Sequence, residues 1–486
     1  MMERLDEAAE KKIRFINSKM GKSYCENKNY LNEKLDVNRN FDVIYREIEI
    51  GGRRAAIYFI DGFCKDEMMQ KMLQYFLDLT PEEMPKDAEE MSRRFLPYVE
   101  VDVKDDWQDI IQNILSGVFV LMIEGFEECV LIDSRTYPAR NVTEPEKDKV
   151  LRGSKDGFVE TVIFNTALIR RRIRSVDLCM EIMNAGKSSK TDIVLCYMDS
   201  RVDHEFLDRI KKRIAAIKVD ALTLNQESLA ECLYTRKWYN PFPKFKYTER
   251  PDTAAAQILE GDIVILVDNS PSAMIIPTSI LDIVEEADDY YFPPITGTYL
   301  RLSRMLIAIL TYFLTPTYLL LTMYPEWIPQ GFEFIMLHDT MNIPIVWQFL
   351  ILELAVDGLK LAAVNTPNML STPLSVLAAL VLGEFSVNSG WFNSEVMLYM
   401  AFVAIANYTQ SSYELGYAIK FMRILNLILT AIFGVYGYIA AIGILLIALI
   451  NNKTVSGQSY LYPLIPFNLQ QLKKRFLRLR LPNSMK

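Results

Sequence analysis

Histidine is almost absent from this 486-residue chain, with two copies, and cysteine is sparse, with six. Cys25, Cys64, Cys129, Cys179, Cys196 and Cys232 form no C-x-x-C pair and keep no regular interval. A zinc site and a disulfide scaffold are therefore not expected; the cysteines read as free thiols in a reducing compartment. Charge is what the last part of the chain lacks. Of 53 Lys+Arg and 61 Asp+Glu, residues 301–486 hold only 12 and 8. The net charge of -8 thus divides into -12 over residues 1–300 and +4 over the remainder. This split excludes a wholly soluble enzyme and a basic nucleic-acid binder. It is the pattern of a soluble part attached to a membrane part. A chain that is 50% hydrophobic is also too apolar to be disordered.

Residues 1–40 form a polar arm with no apolar core segment, so no signal peptide is expected and the first 300 residues stay in the cytoplasm. Beyond the arm, the runs 55–60 (AAIYFI), 98–103, 118–123 and 129–133 read as strands, the last two as a hairpin around Gly125. Residues 67–79 have helical periodicity, and so does the long stretch 158–183. A second unit shows strands at 192–197, 219–222, 263–268 and 273–276, with helices at 204–217 and 226–233. Alternation of this kind implies α/β cytoplasmic domains. Their expected bounds are 41–185 and 186–288, followed by a linker at 289–304 around Pro293 and Pro294.

Residues 305–450 read as an all-α polytopic membrane domain. Uncharged runs at 305–323, 361–383, 396–413 and 424–450 give four spans. A fifth stretch, 343–360, is apolar apart from Glu353, Asp357 and Lys360 on one helical face, the pattern of an interfacial or re-entrant helix. Arg301, Arg304 and the acid-free tail 451–486 put both ends on the cytoplasmic side. Four spans satisfy this, at the cost of leaving Lys360, Lys420 and Arg423 on the far side; six remain open. Two readings of the tail stand side by side: positive-inside anchoring, and attraction of anionic head groups at roughly 1 kcal/mol per basic residue.

Ionisable groups in an apolar domain are costly and mark water, partners or ion paths. The candidates for an ion path or vestibule are Glu353, Asp357, Lys360 and Glu384, with Lys360 as a partner for Asp357. Rings of such acids favour cations in an oligomeric pore. Glu395 and Glu414 are further ionisable residues of this domain, and they and Glu384 read more readily as span ends at the water surface. In the last run, Gly434, Gly437, Ala441 and Gly443 suit close helix–helix contact. Gly186-Lys187-Ser188 resembles the end of a phosphate loop, but Glu181 stands where the first glycine belongs. Neither His204 nor His338 stands in a triad pattern, so no enzyme and no cofactor is expected. The arginines 170–174 form either a solvated helix face or a dock for a subunit or lipid phosphate.

Two stretches carry a family resemblance. One is Glu144-Pro145, Arg152-Gly153, Gly157-Phe158, Glu160, Asn165 and Leu168-Ile169-Arg170-Arg171-Arg172. The other is Glu249-Arg250-Pro251-Asp252, then Leu259-Glu260-Gly261, Val267-Asp268 and Pro271. In type and spacing they resemble signatures of the GerA family, the A subunits of spore germinant receptors, over roughly residues 40–450. Receptor A subunits usually carry a Glu-Leu-Leu-Arg-Glu-Ala-Gly-like stretch. Here the region reads Leu352-Glu353-Leu354-Ala355-Val356-Asp357-Gly358-Leu359-Lys360. With residues 365–370 and Tyr413-Glu414-Leu415-Gly416-Tyr417, it is more similar to the stage V sporulation protein AF branch. The resemblance implies a multi-pass protein of the spore inner membrane that acts in germination. It implies a homo-oligomer, a pentamer, around a path for inorganic ions, with a small membrane partner protein and membrane lipids in contact and no nucleic acid. It also implies an assembly role for the motif residues.

Overall fold

The computed structural model describes residues 19–96, 100–137, 153–234, 239–338, 340–367, 372, 376 and 378–478. The chain divides into two compact units. One holds residues 1–236 and 247–277, the other 237–246 and 278–486.

The first unit is built on two five-stranded sheets. Helix α1 (Tyr24–Lys34) precedes β1 (Val43–Ile50), β2 (Arg53–Ile60), α2 (Asp66–Leu77), β3 (Val101–Lys104), α3 (Trp107–Leu115), β4 (Phe119–Ile123) and β5 (Cys129–Ile132). These strands lie in the order β1-β2-β4-β5-β3, and each neighbouring pair is antiparallel. Side chains alternate across the sheet as the pleat requires. Ala56, Tyr58, Val120 and Met122 pack with Ile110, Ile114 and Leu31. Ala55, Ile57, Phe119 and Leu121 pack with Met72 and Phe76. With both faces covered, the inner strands β2, β4 and β5 read as apolar runs, which is why the sequence marks them so clearly.

The second sheet repeats the first. Helix α4 (Val162–Arg172) precedes β6 (Leu178–Ala185), β7 (Thr191–Met198), α5 (His204–Ala215), α6 (Gln226–Leu233), β8 (Lys246–Thr248), α7 (Pro251–Glu260), β9 (Ile263–Val267) and β10 (Ala273–Ile276). The order β6-β7-β9-β10-β8 is that of the first sheet. The registers match too: Phe119 stands opposite Ile132, and Ile263 opposite Ile276. Single hydrogen bonds recur. The Asn27 side chain bonds both backbone groups of Gly21, at 3.0 and 2.7 Å, and Asn165 does the same to Val159, at 2.8 and 2.6 Å. Met20 N–H donates to the Asp105 carbonyl, and Phe158 N–H to that of Glu249. Asp61 N–H donates to the Asp42 carbonyl, and Asp199 N–H to that of Asp177. The unit is a tandem repeat of one α/β fold.

Three local expectations change. The helix expected over 158–183 ends at Arg172, and the chain turns at Ser175–Asp177 into strand β6. Residues 219–222 are not a strand, because their carbonyls accept from Lys187 and Ser188 in the turn that follows β6. Gly186-Lys187-Ser188 is thus a hairpin turn, with the Ser188 hydroxyl on Asp220. Pro293-Pro294 does not stay a linker. Pro294 takes the first position of a long helix, where its missing N–H costs nothing.

The second unit is helical: α8 (Pro294–Met323), α9 (Ile345–Asn365), α10 (Ser394–Tyr408), α11 (Tyr413–Phe433), α12 (Val435–Ile450) and α13 (Leu469–Phe476). Two helices, α8 and α11, are long and apolar enough to cross a membrane, and α10 and α12 are apolar but shorter. The run 361–383 lies partly outside the described residues. The run 424–450 is not one span, because Gly434 breaks it at φ 57° and ψ −132°. That region of backbone space is open essentially to glycine alone. A Cβ on Gly434 would also lie 2.7 Å from the Tyr324 hydroxyl, and one on Gly437 would lie 1.9 Å from the Leu429 carbonyl oxygen. Gly434 and Gly437 therefore close the α11–α12 hairpin, whereas a Cβ on Gly443 would meet nothing within 4 Å. Gly434→Ala is expected to destabilise this unit by about 1–3 kcal/mol. A melting temperature unchanged from the parent in detergent would refute the account.

Candidate functional site

The two sequence signatures meet in the first unit, though Glu144, Pro145 and Arg152 lie outside the described residues. Gly153, Gly157 and Phe158 lead into α4, where Phe158 and Asn165 are buried. The Asn165 side chain ties down the residue that follows Phe158, and the Asp268 carboxylate accepts from Val162 N–H at 3.2 Å. Arg250 is fully buried beside Pro251, forks onto Asp252 at 3.1 and 2.6 Å, and donates to the Ser154 carbonyl at 2.9 Å. Glu249 joins the same seam through its carbonyl, which accepts from Phe158.

The arginine cluster divides: Arg170 is buried, Arg172 is half-buried, and Arg171 and Arg174 stay exposed. Arg170 is 1% exposed and grips Asp42, ahead of β1, at 2.7 and 3.0 Å. It also donates to the Ser175 and Leu178 carbonyls. Arg171 lies over the Tyr137 ring at 4.5 Å, and Arg172 holds Asp156 at 2.7 Å. Arg170 through Asp42 and Arg171 through Tyr137 join the second repeat to the first, whereas Arg172 and Asp156 both belong to the second. Burial raises the Asp156 carboxyl, but the Arg172 guanidinium and the Ser154 hydroxyl outweigh it and leave the net shift downward.

In the second unit, Glu353, Asp357 and Lys360 all lie on α9. Glu353 is 3% exposed and accepts from Arg423 Nε at 2.8 Å, while Lys420 Nζ stands 3.3 Å from its other oxygen. Asp357 pairs with Lys420, not with Lys360. Lys360 instead lies over the Tyr408 and Tyr417 rings at 4.9 and 5.7 Å. Arg423 also donates to the Thr311 carbonyl of α8 at 3.1 Å. Lys420 and Arg423, which a four-span count leaves as far-side charges, are buried side chains of α11. Two acids and two bases thus form a neutral tetrad that cross-links α8, α9 and α11. Glu384 is exposed and takes no part in it. Glu395 accepts from His338 N–H at 3.2 Å.

A second ionic cluster sits at the start of α8. Arg301 and Arg304, which the sequence offered only as orientation markers, are 1% and 8% exposed. Arg301 meets Glu285 at 2.8 Å and Asp289 at 3.3 Å. Arg304 meets Glu286 at 2.7 Å and Asp289 at 3.2 Å. Arg475 of α13 closes the cluster on Asp282 and Glu285 at 2.6 and 2.9 Å. Burial raises the Glu285 carboxyl, but Arg475, Arg301 and Lys246 overcome it and hold it below the usual range. A lowered carboxyl stabilises the fold at pH above its unfolded value, near 4.5, and loses that contribution as pH falls through the folded value. Acidification from pH 6 to 3 is therefore expected to lower the melting temperature, and less so in Glu285→Gln. Equal pH slopes for the two proteins would remove Glu285 from the explanation. Among the described residues no group of three His, Cys, Asp or Glu side chains is placed to hold a metal ion.

Residues 29–486 match the family of Bacillus/Clostridium GerA spore germination proteins. The chain is similar to stage V sporulation protein AF of Bacillus subtilis (strain 168), with 34% identity over 95% of this chain and 93% of that protein. It is also similar to spore germination protein KA of the same organism, with 27% identity over 93% of this chain and 84% of the relative. Among solved structures, it resembles the N-terminal domain of the A subunit of the Bacillus megaterium spore germinant receptor GerK3. That match has 26% identity and a TM-score of 0.42, over 54% of this chain and 97% of the other.

Proposed function

Because the chain belongs to the GerA spore germination protein family, we propose that it is a membrane-embedded subunit of an oligomeric ion channel in the spore inner membrane. It promotes ion release during germination. In this proposal the α/β domains up to residue 288 and the tail 451–486 face the spore core. Residues 305–450 form the membrane domain, with four spans. Five copies surround the path, with a small membrane protein as partner and lipids around the helices.

The observation that carries the membrane placement is an inverted distribution of polarity. Leu306, Ile309, Ile432, Phe433, Tyr436 and Ile439 of α8, α11 and α12 point outward, while Glu353, Lys420 and Arg423 are buried within. Water favours the reverse, and a bilayer favours this. The buried charges mark where polar chemistry enters the apolar body. Glu353, Asp357, Lys360 and Glu384 are the residues we assign to the ion path or its vestibule. Gly153, Gly157, Phe158, Asn165, Arg170, Arg171, Arg172 and Arg250 to Asp252 support assembly by stiffening the cytoplasmic head.

One observation favours a second reading, a scaffold subunit that conducts nothing. The acids on α9 are matched by bases on α11, so no net negative field remains at the tetrad to select cations. Liposomes decide between the two. The channel reading expects cation efflux from vesicles holding the purified protein, alone or with its partner, and altered selectivity after Asp357→Asn. Oligomeric protein that passes no ions in either case would establish the scaffold.

A further inference from the structure

The tail carries outward apolar side chains beyond the last membrane helix. Leu464, Ile465, Phe467 and Leu469 are 40–68% exposed, and Pro466 lies outward among them. Hydrogen bonds hold this turn in shape. Leu464 N–H donates to the Leu461 carbonyl at 2.7 Å and Asn468 N–H to the Pro463 carbonyl at 3.0 Å, while the Asn468 side chain caps α13 on Gln471 N–H at 3.2 Å. On α13, Leu469, Leu472 and Phe476 share one face by helical spacing. Leu472 and Phe476 are half-buried, whereas Leu469 and Lys473 stay exposed. A run of apolar side chains held outward in this way marks a contact surface.

Two bonds fix its level along α8. Arg301 donates to the Arg475 carbonyl at 2.9 Å, and Arg478 N–H donates to the Thr298 hydroxyl at 3.0 Å. At the rise of an α-helix, Arg301 and Thr298 lie about 6 and 10 Å from Met305, where the uncharged run begins. The head-group layer extends about 5–8 Å beyond the hydrocarbon on each side. Helix α13 therefore runs at head-group depth. On α8 itself, Ile295, Tyr299 and Leu302 are outward at this level, in one stripe with Leu306 and Ile309.

Charge selects the occupant. The chain has no acid after Glu414, and residues 451–486 hold seven Lys and Arg. Arg475 is engaged by Asp282 and Glu285, but Lys473 stands exposed one turn from Leu469. A symmetric contact with a second copy would set lysine against lysine, and protein contact cores are poor in lysine. An anionic bilayer surface accepts both halves, the apolar side chains at the acyl boundary and the ammonium at the phosphates. We propose that residues 461–478 form an amphipathic foot that lies in the head-group layer and binds anionic phospholipid there. The proposal rests on the membrane placement of residues 305–450 given above and adds a lipid site outside the spans.

The full-length protein with the photo-crosslinking amino acid p-benzoylphenylalanine in place of Phe467 tests it, in nanodiscs of equal parts phosphatidylglycerol and phosphatidylcholine. Irradiation is expected to give phospholipid adducts by mass spectrometry, with phosphatidylglycerol at least about twofold over phosphatidylcholine. Lys473→Gln should bring that ratio toward one. The same amino acid in place of Phe433, which is outward on α11, is the reference. Lipid adducts at 433 with none at 467 would overturn the foot and leave the membrane domain standing, whereas none at either position would overturn both. A covalent dimer at 467 would identify a second copy as the occupant and overturn the proposal. Equal adducts of the two lipids, or a ratio unmoved by Lys473→Gln, would overturn it as well. Where the variant at 467 fails to fold, position 469 takes its place with the same expectations.

Discussion

Arg423→Ala is expected to destabilise the helical unit by about 3–5 kcal/mol, the range for removing one member of a buried ion pair. The loss comes less from the missing attraction than from what stays behind. Glu353 would be left at 3% exposure with only Lys420, at 3.3 Å, as a partner. The Thr311 carbonyl on α8 would also lose its donor. Glu353→Ala should cost a similar amount, since it strands Arg423 and half of Lys420. The double substitution should cost less than the two single losses together, because it removes both charges at once. Unfolding of each protein in detergent, read as a double-mutant cycle, measures that difference. Strict additivity would mean that the two side chains do not act on each other. Either single variant matching the parent would mean that the tetrad does not hold the helices.

What could be read in the sequence was whatever the chain writes locally. The strands 55–60, 118–123 and 192–197 are apolar on both faces, so their runs are unbroken. The helix 226–233 was legible to the residue. Strand β1 (VIYREIEI) was not, because its middle residues are charged and only partly buried. Strand β6 read as a continuation of α4, since over so few residues its apolar positions fit a helix as well as a strand. The tandem repeat is nearly invisible because it lives in backbone bonds and apolar pattern. Only isolated identities survive, such as Asn27 with Asn165 and Gly117 with Gly261. Glu353 and Asp357 stood out as acids in an apolar stretch, but their partners lie on another helix. Lys420 and Arg423 were legible only as topology markers, as were Arg301 and Arg304. A lone charge is visible in one dimension. Its neutralisation is visible only in three.

The largest effect in the first unit is expected from Arg170→Ala. Its guanidinium is the point at which the second repeat is fastened to the first. Asp42 stands at the entry of β1, and Arg170 lies in the last turn of α4. The neighbouring backbone supports the same joint, with Met180 N–H donating to the Asn40 side chain at 2.9 Å and Phe41 N–H to the Met180 carbonyl at 3.2 Å. Truncation would leave the Asp42 carboxylate 1% exposed without its cation and the Leu178 carbonyl without the guanidinium N–H groups that bond it. A loss of about 3–5 kcal/mol follows. Arg170→Lys should recover only part of it, because an ammonium cannot fork onto a carboxylate and still reach two carbonyls. Asn165→Ala provides the contrast. Asn27 makes the same two bonds in the first repeat, so the motif serves each half separately, and its loss should weaken the second half without loosening the joint. Hydrogen exchange separates the two outcomes. Arg170→Ala should raise exchange on both sides of the seam, at residues 40–43 and 178–181, whereas Asn165→Ala should raise it around 159–165 alone. Exchange confined to one repeat in Arg170→Ala would show that the arginine is not the fastening.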